Sequence, residues 1–148
     1  MTDPKAFSDL HAACAAEGTI LFTLSILDPA AGVSRRAYTS HPVEYPVQGT
    51  KPMERDAWFI DCVEGRNTFV ANTPEGFRDH FFDHALIESM GLGSAVNIPL
   101  AASAQAPVTA TVNLLAGPGH FSAEKLARYA ALTEAHRPAI LAALSDLT

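Results

Sequence analysis

Residues 91–100 read GLGSAVNIPL, residues 108–115 read VTATVNLL, and residues 120–126 read HFSAEKL. These three segments decide the fold. In each of the first two, apolar side chains alternate along a run of strand length. The seven residues between them make a hairpin loop. Gly117, Pro118 and Gly119 then break the chain, and Ser122 stands as the N-cap of a long helix running towards Leu147. Pro138 lies inside that helix and is expected to kink it. Asn97 and Asn113 interrupt the strands on the positions that alternate with Val96 and Ile98, and with Val112 and Leu114. An amide inside a sheet must find a partner. A ligand, a loop, or the other asparagine would each serve.

Upstream, Asp3 and Pro4 supply an N-cap and a first-turn proline for a helix whose Phe7, Leu10, Cys14 and Glu17 share a face, with Gly18 as its stop. Residues 19–27 (TILFTLSIL) read as a strand. Ile20, Phe22, Leu24 and Ile26 point one way, and Leu21, Thr23, Ser25 and Leu27 the other. Both faces are largely apolar, which predicts a central strand covered on both sides. A turn at 28–32 leads to a second, more polar strand over 33–40. Residues 41–53 carry Pro42, Pro46 and Pro52 and read as a stiff extended loop with no regular element. A short helix over 54–64, a strand at 68–71 and helical segments through Phe81 and over 84–90 complete the middle. The order predicts an α+β domain with an antiparallel sheet. Its first and last helices cover one face, and loops and short helices roof a pocket on the other.

The length of 148 residues suits one domain, and 48% hydrophobic against 18% charged is a globular balance. Ten Lys and Arg against sixteen Asp and Glu give a net charge of −6, which disfavours nucleic acid as a partner. The segment from Arg35 to Arg66 holds half of the cations (Arg35, Arg36, Lys51, Arg55, Arg66) and is neutral overall. Solvated loop charges account for this, and so does an anionic ligand. No apolar run approaches the roughly 20 residues of a membrane span, and the first residues lack the apolar core of a signal peptide. A cytoplasmic location is expected. Cys14 and Cys62 make no disulfide framework.

The segment 91–100 resembles the strand of GAF domains in which Gly and Ser precede an apolar run with a proline five residues on. Residues 108–115 resemble their following strand, and residues 120–126 the start of their C-terminal helix. The element order fits over nearly all of the chain. One departure is Thr109-Ala110, where many GAF strands carry glycine. GAF domains are small-molecule sensors, commonly paired through terminal helices. The resemblance therefore implies a sensory small-molecule-binding domain and a homodimer. The chain has neither a cyclic-nucleotide signature nor a Cys-His pair of the kind that attaches a bilin. The family's ligand residues vary with the ligand, so none transfers by position.

The candidate ligand-binding set comes from the residues themselves. Arg36, Tyr38 and Ser40 alternate onto one strand face, with His41 next to them. Lys51 and Trp58 lie beyond the proline-rich loop, so cations for a carboxylate stand near an aromatic for an apolar body. Asp61, His84, Asn97 and Asn113 complete the set. Two chemical alternatives stand beside this set. His80 and His84 stand four apart, a spacing that on a helix would put two imidazoles on one face, yet no third ligand is specified. Cys62 would serve thiol chemistry of the kind used by GAF-type methionine sulfoxide reductases, but that needs a second thiol within reach. Cys14 belongs to a helix expected on the opposite sheet face. No catalytic residue, metal or cofactor is expected. A ligand-free interaction module is the remaining alternative.

Overall fold

The central strand pair organises the molecule. The computed structural model describes residues 4–147. Six strands, β1 (Leu21–Asp28), β2 (Val33–Thr39), β3 (Thr50–Pro52), β4 (Phe69–Ala71), β5 (Ser94–Ala101) and β6 (Val108–Ala116), form one sheet in the order β3-β2-β1-β6-β5-β4. Every neighbouring pair is antiparallel. β1 and β6 lie in the middle with Thr23 opposite Asn113, and β5 joins β6 with Asn97 opposite the same Asn113.

Helices α1 (Lys5–Ala16) and α4 (Ala123–Ser145) pack together. The principal core lies beneath them. Phe7, Leu10 and Cys14 of α1 and Tyr129, Ile140 and Leu144 of α4 meet Phe22, Leu24, Val96, Leu100, Val112 and Leu114 of the sheet. These are the apolar positions of period two on the strands and of period near 3.6 on the helices. The expected N-cap Asp3 lies outside the described residues, and α1 is entered from Pro4. The Ser122 hydroxyl accepts from Lys125 N–H at 3.2 Å and caps α4, which runs through Pro138 as one element. The opposite sheet face is covered by the loop 41–49, a π-helical turn (Phe59–Glu64), α2 (Pro74–Phe77) and α3 (His84–Ser89). A smaller core there joins Leu21, Tyr45, Phe77, Ile87, Leu92 and Leu115.

Three expectations are corrected. Residues 41–53 contain strand β3, paired with Val33, Ser34 and Arg35 of β2. Pro52 is tolerated because β3 is the sheet edge, where a missing N–H costs no ladder bond. The helix expected over 54–64 is confined to Ala57, Trp58 and the π-helical turn, anchored where Asp56 Oδ1 accepts from Phe59 N–H at 2.9 Å. Finally, Arg36 and Tyr38 do not share a face. Leu24 pairs with Tyr38 and Ser25 with Arg36, so Ala37 is an unpaired extra residue on β2. Such a bulge reverses the alternation. Tyr38 turns into the helix-side core, where its hydroxyl lies 2.6 Å from His11 Nδ1.

Leu24 is fully buried under the helices. Leu24→Ala is expected to cost about 2–5 kcal/mol in urea unfolding. Tyr38→Phe should cost about 1 kcal/mol in the same experiment, because it removes the hydroxyl that meets His11.

Candidate ligand-binding site

The strand face turned away from α1 and α4 carries Leu21, Thr23, Ser25 and Leu27 from β1, Thr111, Asn113 and Leu115 from β6, and Asn97 from β5. The roof elements are too short to tile this surface, and a cavity of about 340 Å³ remains between floor and roof. That volume lies in the range of small-molecule sites.

A chain of hydrogen bonds crosses the floor. The Trp58 indole N–H donates to Asn97 Oδ1 at 2.9 Å, and Asn97 Nδ2 donates to Asn113 Oδ1 at 2.9 Å. Asn113 Nδ2 donates to both Thr23 Oγ1 and Ser25 Oγ at 3.1 Å. The two asparagines thus partner each other, and the roof is tied to the floor through the only tryptophan in the sequence.

Two cations face the cavity. Arg36 is half-buried, and its Nη1 donates to Pro46 O at 2.8 Å while the guanidinium lies 4.9 Å from the centre of the Tyr45 ring. Gly49 makes this position possible. A Cβ there would stand 2.5 Å from Arg36 Nη1. Burial lowers the Arg36 pKa, while Tyr45 and Asp83 act in the opposite sense. The Lys51 ammonium sits among three rings, 5.8 Å from the centre of Trp58, 5.4 Å from Phe81 and 5.6 Å from Phe82. Among the described residues, neither cation has a carboxylate within ion-pair distance. Tyr45 donates its hydroxyl to Asp83, which ties the proline-rich loop to the α2–α3 connection. Burial, then the Asp83 carboxylate, pushes the Tyr45 phenol up, so it stays a donor.

Of the candidates drawn from the sequence, Arg36, Lys51, Trp58, Asn97 and Asn113 come together around this cavity. The others lie elsewhere. Tyr38 is behind the sheet for the reason given above. The Ser40 hydroxyl accepts from Phe22 N–H at 2.8 Å and lies 2.7 Å from His41 Nδ1, so both residues finish the β1–β2 ladder. Asp61 is exposed and accepts from Asn67 Nδ2 at 2.9 Å. His84 Nδ1 lies 3.0 Å from Glu88 Oε2. Sequence reasoning missed Thr23, Ser25 and Thr111, whose alternation with buried apolar neighbours was the available signal. It also missed Tyr45 and Asp83, which only the folded loops bring together.

His80 and His84 do not share a helix. α2 ends at Phe77, α3 begins at His84, and His80 packs edge-on against Phe69. Among the described residues no group of three His, Cys, Asp or Glu is placed to hold a metal. Cys62 is buried with its thiol 3.8 Å from Asn97 O, and Cys14 is buried on the far side of the sheet. Burial, above all, pushes each thiol up to about 12.

No family model and no curated protein matches the chain. Solved structures do. The GAF domain/HD domain protein from Geobacter sulfurreducens superposes with a TM-score of 0.71 at 12% identity, over 95% of this chain and 93% of that one. The GAF domain of a two-component sensor histidine kinase from Bacillus halodurans superposes with a TM-score of 0.66 at 14% identity, over 90% and 94%. The chain has the GAF fold. A type II free methionine-R-sulfoxide reductase from Thermoplasma acidophilum is also similar, with a TM-score of 0.57 at 12% identity over 93% and 94%. At such identities a GAF fold is all that is shared, and the chemistry of the cavity rests on this chain's own residues. No helix is long and apolar enough to cross a membrane among the described residues.

The thiols give a direct check. With a pKa of about 12, only about one thiol in ten thousand is ionised at pH 8, and thiolate is the reactive form. Dithiobis-nitrobenzoate at pH 8 should label neither cysteine in the native protein within minutes, and both in denaturant.

Proposed function

We propose that this GAF domain is a sensory module whose cavity binds a small anionic molecule with an apolar body. One observation carries the reading. Arg36, half-buried, and Lys51, held among aromatic rings, face the same cavity with no carboxylate within ion-pair distance among the described residues, although Glu44, Glu54, Asp56 and Asp83 also line it. A desolvated cation is costly without a counter-charge, and an incoming anion lowers that cost. The rings of Trp58 and Phe81 and the side chains of Leu21, Met53, Ile87 and Leu115 offer an apolar surface beside the charges. The similarity to GAF domains of sensor kinases supports a sensory role. Thiol chemistry finds less support, because the two cysteines are buried on opposite sides of the sheet.

A library of small carboxylates, phosphates and amines, scored by thermal shift and by Trp58 fluorescence, tests the proposal. Anions should raise the melting temperature and alter the fluorescence, and added salt should weaken the effect. Arg36→Met should weaken the best hit by about 2 kcal/mol, roughly thirtyfold. If no compound of any class shifts either signal, the proposal is wrong.

A further inference from the structure

The hydrogen bonds of the floor all run in one direction, and the direction has a fixed origin. An indole N–H can only donate. The atom of Asn97 that meets Trp58 Nε1 must therefore be the carbonyl oxygen, Oδ1. The Asn97 amide nitrogen is then the atom that faces Asn113, and a nitrogen donor requires Oδ1 of Asn113 opposite it. The Asn113 nitrogen is in turn left facing Thr23 and Ser25. Each hydroxyl oxygen receives one proton of this amide. Each retains one lone pair and its own hydrogen, and that hydrogen has no other acceptor among the hydrogen bonds of the described residues. Thr23 and Ser25 line the cavity.

The sheet register places further donors in line with them. Ser25 is opposite Arg36 on β2 and opposite Thr111 on β6. Residues directly opposite in antiparallel strands have Cβ atoms about 5 Å apart. Guanidinium, Ser25 hydroxyl and Thr111 thus form a row across three strands, with Thr23 two residues along on the same face. A carboxylate has two oxygens and only accepts. One oxygen fits the hydroxyl donors and the other fits Arg36. An ammonium group would find one free lone pair on each hydroxyl, but it would stand beside the like charge of Arg36.

Resting on the binding reading above, we propose that Thr23 and Ser25 are an oxyanion seat. They donate their hydroxyl hydrogens to a ligand carboxylate beside Arg36, with their polarity set by the Trp58–Asn97–Asn113 chain. The seat selects carboxylates over neutral and cationic analogues of the same shape.

Three probes that share an apolar body test this on the full chain: phenylacetate, phenylacetamide and phenethylamine, titrated calorimetrically and by Trp58 fluorescence. Phenylacetate should bind at least about tenfold more tightly than phenylacetamide, and far more tightly than phenethylamine. Thr23→Val and Ser25→Ala should each weaken phenylacetate about tenfold, without the same loss for phenylacetamide, because a bond to a charged acceptor is the stronger one. Asn113→Asp replaces the donor with an acceptor, so the hydroxyls turn towards Asp and the preference should move from phenylacetate to phenethylamine. Ser25→Ala removes a side chain that is only half-buried, and it keeps the test decisive if Asn113→Asp fails to fold. Phenethylamine binding as tightly as phenylacetate, or a Thr23→Val/Ser25→Ala double variant with unchanged phenylacetate affinity, overturns the seat and leaves the cavity a binding site. No heat and no fluorescence change with any of the three probes, together with a silent library, overturns the binding reading itself.

Discussion

The sheet's centre must be covered on both faces, and among the described residues only one pair of long helices is present to do it. Strands β1 and β6 send Phe22, Leu24, Val112 and Leu114 to one side and Leu21, Leu27 and Leu115 to the other. Leaving either set in water would forfeit roughly 1.5–3 kcal/mol for each large side chain. Helices α1 and α4 cover the first side with Phe7, Leu10, Cys14, Tyr129, Ile140 and Leu144. The second side falls to pieces of four to six residues and a proline-rich loop. Such pieces bury their own anchors, Tyr45, Phe77 and Ile87, without filling the space between them. The cavity follows from this mismatch between a continuous floor and a segmented roof.

The polar residues of the floor make sense in the same frame. A buried amide without a partner costs about 1–3 kcal/mol, and Asn97 and Asn113 would leave several such groups if each stood alone. Facing one another across β5 and β6, they satisfy each other and pass the remaining bonding capacity outwards, to Trp58 at one end and to two hydroxyls at the other. The network therefore fixes the position of the roof tryptophan and the orientation of the floor hydroxyls together. A satisfied network of this kind is rigid and directional, unlike an apolar floor, which would hold a ligand in no preferred orientation.

Much of this was legible in the residues. The double-sided pattern of TILFTLSIL predicts a central strand, and the two asparagines at alternating positions call for partners, of which the sheet register supplies one of the three open alternatives, Asn97 opposite Asn113. The cations Arg36 and Lys51 stand out by type alone. What escaped depends on register and on loop folding. A single extra residue, Ala37, moves Tyr38 to the other face, and nothing in Arg36-Ala37-Tyr38 announces a bulge rather than regular alternation. Strand β3 was concealed by Pro52, because a proline reads as a breaker until the edge position is known. Asp61 and His84 carry suitable chemistry, yet their local partners Asn67 and Glu88 hold them on the outside. Tyr45 and Asp83 are 38 residues apart, and their bond exists only because two irregular segments meet over the cavity.

That bond also bears on how the roof is held over the floor. The floor strands are held by continuous ladders and by the helix-side core, so they are the stiff part of the site. The roof is joined across the cavity by a few polar ties: Tyr45 to Asp83, Arg36 to Pro46, and Trp58 to Asn97. At its rim Phe82 is 74% exposed and contributes little burial to either state. Opening the roof therefore breaks side-chain contacts rather than strand pairing, and the first contacts at risk join the loop 41–49 to the α2–α3 connection. Both segments border Arg36, directly through Pro46 or through Tyr45 and Asp83. Arg36 itself therefore stands between the two halves of the roof. On the proposed binding reading, the cation that would supply affinity thus also borders both halves of the roof.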